Sequence, residues 1–286
     1  AIVASRPYHG RVVRQFISPD FKTWSQASTV GFVRPQQHTL LGPGRSREGE
    51  QNHEGVSVWN RGNVLLGISG IWHGGKEWKD VTVDLGFVVS NDGVRFRQPA
   101  HEWTFLKRGA DGEWDQGGLL QGQGFENIGE QTVIYYGAWD PRHWQGSPPR
   151  GGVGIARLPR DRFAVLSVDK TTTGKGNYQM PETQSEFLTA AVPLKGKDPQ
   201  RFFVNADGLG AEASLKVELL SANAVPLPDY SGENAAIVKT SGFQTPVLWN
   251  GRQEIENLPD RIRLRVTFEG QKKTDIRFSA MYVRSK

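Results

Sequence analysis

A glutamate stands where a strand is expected to open. Gln51-Asn52-His53-Glu54-Gly55 leads straight into Val56-Ser57-Val58-Trp59. A carboxylic acid there suits proton donation to a leaving group, the work of one member of the carboxylate pair that cleaves a glycosidic bond. The chain supplies its own control, because it repeats at a spacing near 67 residues. The position equivalent to Glu54 is then Gln121, within Leu120-Gln121-Gly122-Gln123-Gly124-Phe125. If the architecture alone required an acid, both copies would carry one. A residue that departs from its own repeat is the better candidate for function, although surface exposure is the commonest fate of a glutamate.

Flat apolar surfaces and hydrogen-bonding groups complete a sugar site. Trp72-His73 and Trp139-Asp140 end equivalent stretches, and the second residue differs between copies. Arg142, His143 and Trp144 follow in a Pro/Gly-rich loop, 141–152. Asp115, in Trp114-Asp115-Gln116, is the other carboxylate expected near a channel mouth. With Glu54 as general acid, the expected binding set is His53, Trp72, His73, Asp115, Gln121, Trp139, Asp140 and Arg142. Packing inside a β-sheet stack is the competing role for the tryptophans. The six histidines show no metal-ligand spacing, so no structural zinc is expected. Calcium stays open, and no cofactor is expected.

The elements that must position these residues read as all-β. Apolar runs at 12–17, 56–71, 81–89, 132–139 and 152–156 are bounded by Gly, Pro, Asn and Asp, with almost no helical period. Gly70-Ile71-Trp72 recurs as Gly137-Ala138-Trp139, and Leu85-Gly86-Phe87 as Val153-Gly154-Ile155. Ser18-Pro19-Asp20 with Trp24 recurs as Ser90-Asn91-Asp92 with Phe96. The aspartate is expected to cap backbone N–H groups of a bend, and the aromatic to pack back over the sheet. Leu158 to Phe163 holds a degenerate third copy. Units of about 70 residues with about four strands are expected to be β-propeller blades. One covers 116–165, another 50–105, and residues 1–30 supply the outer part of a third. On this count the chain begins partway through its propeller. An open stack of sheets is the alternative.

After residue 168 the texture changes. Polar, glycine-containing 170–179 reads as a linker. Strands are then expected at 202–205, 214–220, 247–249, 261–268 and 275–278. Leu215, Val217 and Leu219 alternate on one face, and Ile262, Leu264, Val266 and Phe268 on another, as in a β-sandwich. The expected domains are therefore propeller blades over 1–168 and a β-sandwich over 169–286.

Composition is that of a globular protein, with 37% hydrophobic and 23% charged residues. No stretch approaches a membrane span, and residues 1–5 do not resemble a signal peptide. The absence of cysteine excludes a disulfide scaffold and a thiolate metal site. A net charge of +5 is scattered. It reads first as a basic surface, next as an affinity for acidic polysaccharide, and last as nucleic-acid binding, whose basic signatures are missing.

His53-Glu54-Gly55-Val56 followed by Trp59-Asn60-Arg61-Gly62-Asn63-Val64-Leu65-Leu66 resembles a stretch of five-bladed propeller glycosidases, notably glycoside hydrolase family 43, whose glutamate is the general acid. Val56 stands where that family has proline, and aliphatic residues stand where it has tyrosines. The C-terminal half resembles the sandwich fused to family 32 propeller hydrolases, on Arg160-Asp161-Arg162-Phe163 through Asp169, Phe203-Val204-Asn205-Ala206-Asp207 and Leu215-Lys216-Val217-Glu218-Leu219-Leu220-Ser221-Ala222. The resemblance implies two further aspartates before the glutamate. Upstream of Glu54 the only aspartate is Asp20, in the turn signature.

Three readings follow. The leading one is an extracellular or periplasmic glycosidase acting on an oligo- or polysaccharide, without a nucleic-acid partner or membrane span and of undetermined oligomeric state. The second is a glycan-binding propeller without catalysis, and the third a protein-interaction platform. Sugar, linkage and stereochemical course are not written in the sequence.

Overall fold

The computed structural model describes residues 2–5, 11–25, 29–32, 52–73, 81–100, 103–140, 151–168, 185–194, 196 and 198–286. The side chains of 2–5, 11, 12, 29, 52–54 and 123 fall outside that description. The protein is all-β, built from antiparallel sheets. No described helix is long and apolar enough to cross a membrane. Two compact units are present: Ala1–Glu126 with Val133–Arg157, and Asn127–Thr132 with Leu158–Lys286.

The first unit holds three sheets. β1 (Ile2–Ser5), β2 (Arg11–Gln15) and β3 (Thr29–Phe32) form the first. β4 (Asn52–Asn60), β5 (Leu65–His73), β6 (Thr82–Ser90) and β7 (Thr104–Leu106) form a four-stranded meander. β8 (Leu119–Ile128), β9 (Gln131–Trp139) and β10 (Gly151–Pro159) form the third, with β9 in the middle. The repeat is visible in space. Gln121 donates its side-chain N–H to the Gly55 carbonyl at 3.1 Å, and Trp59 stacks on Phe125 at 5.6 Å and 14°. Both pairs join residues 66 apart, so β4 and β8, of separate sheets, approach each other one residue out of step with the repeat. A closed ring of sheets is not shown by the described residues.

β5 and β6 are buried along nearly their whole length, as near-continuous apolar runs are when both faces are covered. Val13 and Phe32 of the first sheet pack with Val56, Leu65, Val88 and Phe96. Burial of one such aromatic contributes about 2 kcal/mol. β10 is mostly exposed. The third sheet has three described strands rather than the four expected of a blade. After β10 the chain turns at Asp161, whose φ is +59°, and Leu166 exchanges two backbone hydrogen bonds with Phe278.

The paired turn signatures form as their residues dictate. The Asp20 carboxylate accepts the Lys22 and Thr23 N–H groups at 2.8 and 2.7 Å. Asp92 accepts those of Val94 and Arg95 at 2.8 Å each. Those backbone N–H bonds hold both carboxyls below the usual range. Asp20 is thus spent on its turn. The trailing aromatics differ: Phe96 is 7% exposed and Trp24 is 49% exposed.

The second unit places two sheets around one apolar core. β11 (Glu186–Leu188), β12 (Val192–Pro193), β14 (Ser214–Ser221), β15 (Ala236–Val238) and β17 (Arg261–Glu269) make one. β13 (Gln200–Asp207), β16 (Gly242–Pro246) and β18 (Arg277–Ser285) make the other. Ile262, Leu264, Val266 and Phe268 alternate inward along β17 and meet Leu215, Val217 and Leu219 of β14. The strand expected at 247–249 is absent. β16 ends at Pro246, one residue beyond which Val247 still donates its N–H to the Phe202 carbonyl at 2.9 Å, and Val247 and Trp249 enter the core. The two C-terminal motifs touch each other. The Arg162 guanidinium grips both Asp207 oxygens and donates to Asn205 Oδ1 at 3.0 Å, and Asn205 Nδ2 donates to the Arg160 carbonyl at 2.8 Å. Asp161 accepts from Asn127 Nδ2 at 3.1 Å and the Tyr282 hydroxyl at 2.7 Å.

Candidate functional site

Glu54 lies in β4 at an irregularity of the strand. His53 pairs with Gly70 and Val56 with Ser69, so β4 carries two residues, Glu54 and Gly55, with no counterpart on β5. Gly55 takes φ +98°, a left-handed value that a side chain resists. A bulge bends its strand and re-aims the inserted residue. Gln121, which stands where the repeat would put a second Glu54, spends its amide on the Gly55 carbonyl. The side chains of His53 and Glu54, and all of Arg142, His143 and Trp144, lie outside the described residues.

At the C-terminal end of β5, three residues beyond the Gly70 that pairs with His53, an ion cluster forms. Asp84 of β6 is buried at 4% exposure. Its Oδ2 lies 3.0 Å from His73 Nε2 and 3.1 Å from Arg108 Nη1, and its Oδ1 accepts the Arg108 backbone N–H at 2.8 Å. Burial pushes this carboxyl up. The hydrogen bond from His73, the Arg108 N–H and the two positive partners outweigh it, leaving Asp84 below the usual carboxylate range. Trp72, beside His73, is 1% exposed and belongs to the core, so it presents no surface to a ligand.

A third grouping lies on the sheet of β8–β10. Trp114 is 57% exposed, and its indole stacks on Tyr136 of β9 at 6.2 Å and 23°. Tyr136 donates its hydroxyl to Asp115 Oδ2 at 3.2 Å. Burial and the Asp115 charge push this phenol above the usual tyrosine range. Gly152 and Gly154 of β10 lie against the two rings. A Cβ on Gly152 would meet Trp114 Cζ3 at 2.9 Å, and one on Gly154 would strike the Tyr136 ring. Asp140 is buried against Gly117, where a Cβ would meet its Cα at 2.6 Å. Trp139 is half-buried and donates its backbone N–H to the Gly118 carbonyl.

The structure therefore brings Gln121 to the Glu54–Gly55 bulge, and sets His73 and Asp115 in two separate polar groupings. Asp84, Arg108 and Tyr136 were not singled out from sequence. A signal existed for Tyr136: alternate glycines at 152 and 154 leave room on one strand face for a ring from its neighbour.

No protein-family model and no curated protein matches the chain. Solved structures with weak similarity include a glycoside hydrolase of family 32 from Bifidobacterium adolescentis, 11% identical, with TM-score 0.19 over 80% of this chain and 40% of that one. Another is the family 32 β-fructofuranosidase of Bombyx mori, 8% identical, with TM-score 0.21 over 92% of this chain and 85% of that one. The chain thus spans two-fifths of the bacterial enzyme's length. At these scores neither likeness carries an argument about this protein, whose site rests on its own geometry.

Proposed function

We propose that the protein hydrolyses glycosidic bonds of an oligo- or polysaccharide, with Glu54 as the proton donor. The observation that carries this reading is the bulge: β4 breaks its pairing with β5 at Glu54, an acidic position that departs from the internal repeat, and the equivalent residue of the next sheet holds the inserted backbone. On this reading the sheets of the first unit are propeller blades, the two sheets of the second are a β-sandwich, and the protein works outside the cytoplasm. His53, His73, Asp115, Gln121, Trp139, Asp140 and Arg142 are the residues proposed to contribute to the substrate site, without cofactor or metal. Proton donation contributes about 10²–10⁴-fold to rate, and it matters most where the leaving group is poor.

The test is Glu54→Gln assayed on a panel of glycans and of aryl glycosides with activated leaving groups. Turnover of unactivated glycans should fall at least about a hundredfold, with activated substrates spared and binding unchanged. Wild-type turnover of unactivated glycans by the variant overturns the proposal. A non-catalytic glycan-binding protein is the second reading, favoured by the exposed Trp114 ring. Binding without product release across the same panel selects it.

A further inference from the structure

The geometry points to a subsite on the third sheet where the exposed face of Trp114 receives a neutral sugar ring and Asp115 accepts its hydroxyls. This deepens the carbohydrate reading above and rests on it.

One face of the indole stacks on Tyr136, and Trp114 as a residue still keeps more than half of its surface in solvent. An indole left this exposed loses the burial that normally repays a large aromatic. The loop that carries it is fixed in advance. Ala110 N–H donates to Glu113 Oε2 at 2.7 Å and Gly112 N–H to Gln116 Oε1 at 2.7 Å. Tyr136 anchors Asp115, and the glycines of β10 supply the space in which both rings lie flat. Binding to such a platform costs little ordering. A carboxylate oxygen accepts more than one hydrogen bond, so Asp115 keeps capacity after taking the Tyr136 hydroxyl.

Charge selects the occupant. Asp111, Glu113 and Asp115 place three carboxylates within five residues. Of the two basic residues on the approach, Lys107 and Arg108, the second is committed to Asp84. A chain that is basic overall is acidic here, which disfavours uronic acids, phosphorylated sugars and nucleotides. A sugar with an apolar C–H face and uncharged hydroxyls suits both the ring and the carboxylate. The acidic polysaccharide that net charge alone makes attractive does not suit this platform.

The probes are cello-, xylo-, arabino- and fructo-oligosaccharides as neutral ligands and oligogalacturonates as acidic ones, titrated calorimetrically against the full chain. At least one neutral series should bind. Trp114→Ala should weaken it about tenfold or more, Trp114→Phe should restore most of the affinity, and Glu54→Gln should bind as wild type. Thermal melts confirm that the Trp114 variants are folded. Unchanged affinity in Trp114→Ala, tighter binding of the acidic series, or no neutral ligand at all overturns the subsite. If Trp114→Ala binds normally while Glu54→Gln is inactive, the subsite falls and the hydrolase stands. If Trp114→Ala loses binding while Glu54→Gln turns over as wild type, the hydrolase reading falls and the subsite stands.

Discussion

The sheets β4–β7 and β8–β10 share one frame and put it to different use. Leu85-Gly86-Phe87 of β6 corresponds to Val153-Gly154-Ile155 of β10, which places Asp84 opposite Gly152 in the repeat. In the second sheet that position carries a buried carboxylate, satisfied by His73 and Arg108. In the third it carries no side chain, and an indole from the preceding loop lies there instead. One copy uses the position to hold itself together. The other vacates it and leaves an aromatic face in solvent. The difference teaches that a repeat preserves strands and registers while single positions trade structural for surface roles.

The largest test removes the charge. Asp84→Ala strands the His73 and Arg108 side chains beside a partly buried void and should cost about 2–3 kcal/mol in urea denaturation, with no effect on the third sheet. Because the folded Asp84 titrates below its unfolded value, the stabilisation is complete above the unfolded value, near pH 4. It is lost as pH falls through the lower folded value. Wild type and Asp84→Asn should therefore converge in stability under acid and separate near neutrality.

Next, Gly152→Val fills the vacated position. The added carbons meet Trp114 and should cost about 1–2 kcal/mol while displacing the ring, seen as a shifted indole N–H resonance. Tyr136→Phe removes only the hydroxyl bond to Asp115 and should cost about 1 kcal/mol. The raised phenol makes that contribution complete below the unfolded tyrosine value and lost as pH rises through the folded one. The smallest effect concerns the paired turns. Phe21 sits at φ +59° where its counterpart Gly93 sits at +74°. Phe21→Gly should relieve less than about 1 kcal/mol of left-handed strain, read as a slightly higher melting temperature.

Much of the frame was legible because period-two burial and turn chemistry are local. The alternation along β14 and β17, the bends at Asp20 and Asp92, and the spacing between β4 and β8 all follow from neighbouring residues. The core role of Trp72 was not legible, since an aromatic at a strand end reads equally as packing or as surface. Nor was the pairing of Asp84 with His73 and Arg108, which joins three stretches by tertiary approach. The stretch expected as a strand at 247–249 keeps one bond to β13, from the Val247 N–H to the Phe202 carbonyl, and then folds back on itself as Trp249 bridges Arg252.

The irregularity in β4 has a practical corollary. Because the inserted stretch is two residues long, excising Glu54 and Gly55 together keeps the in–out parity of the strand. Gln121 would lose the Gly55 carbonyl that now accepts its amide. Such a double deletion should melt close to wild type while lacking the acid altogether. It would test the proposed proton donor without a side-chain swap, by a route that the shape of the backbone itself offers.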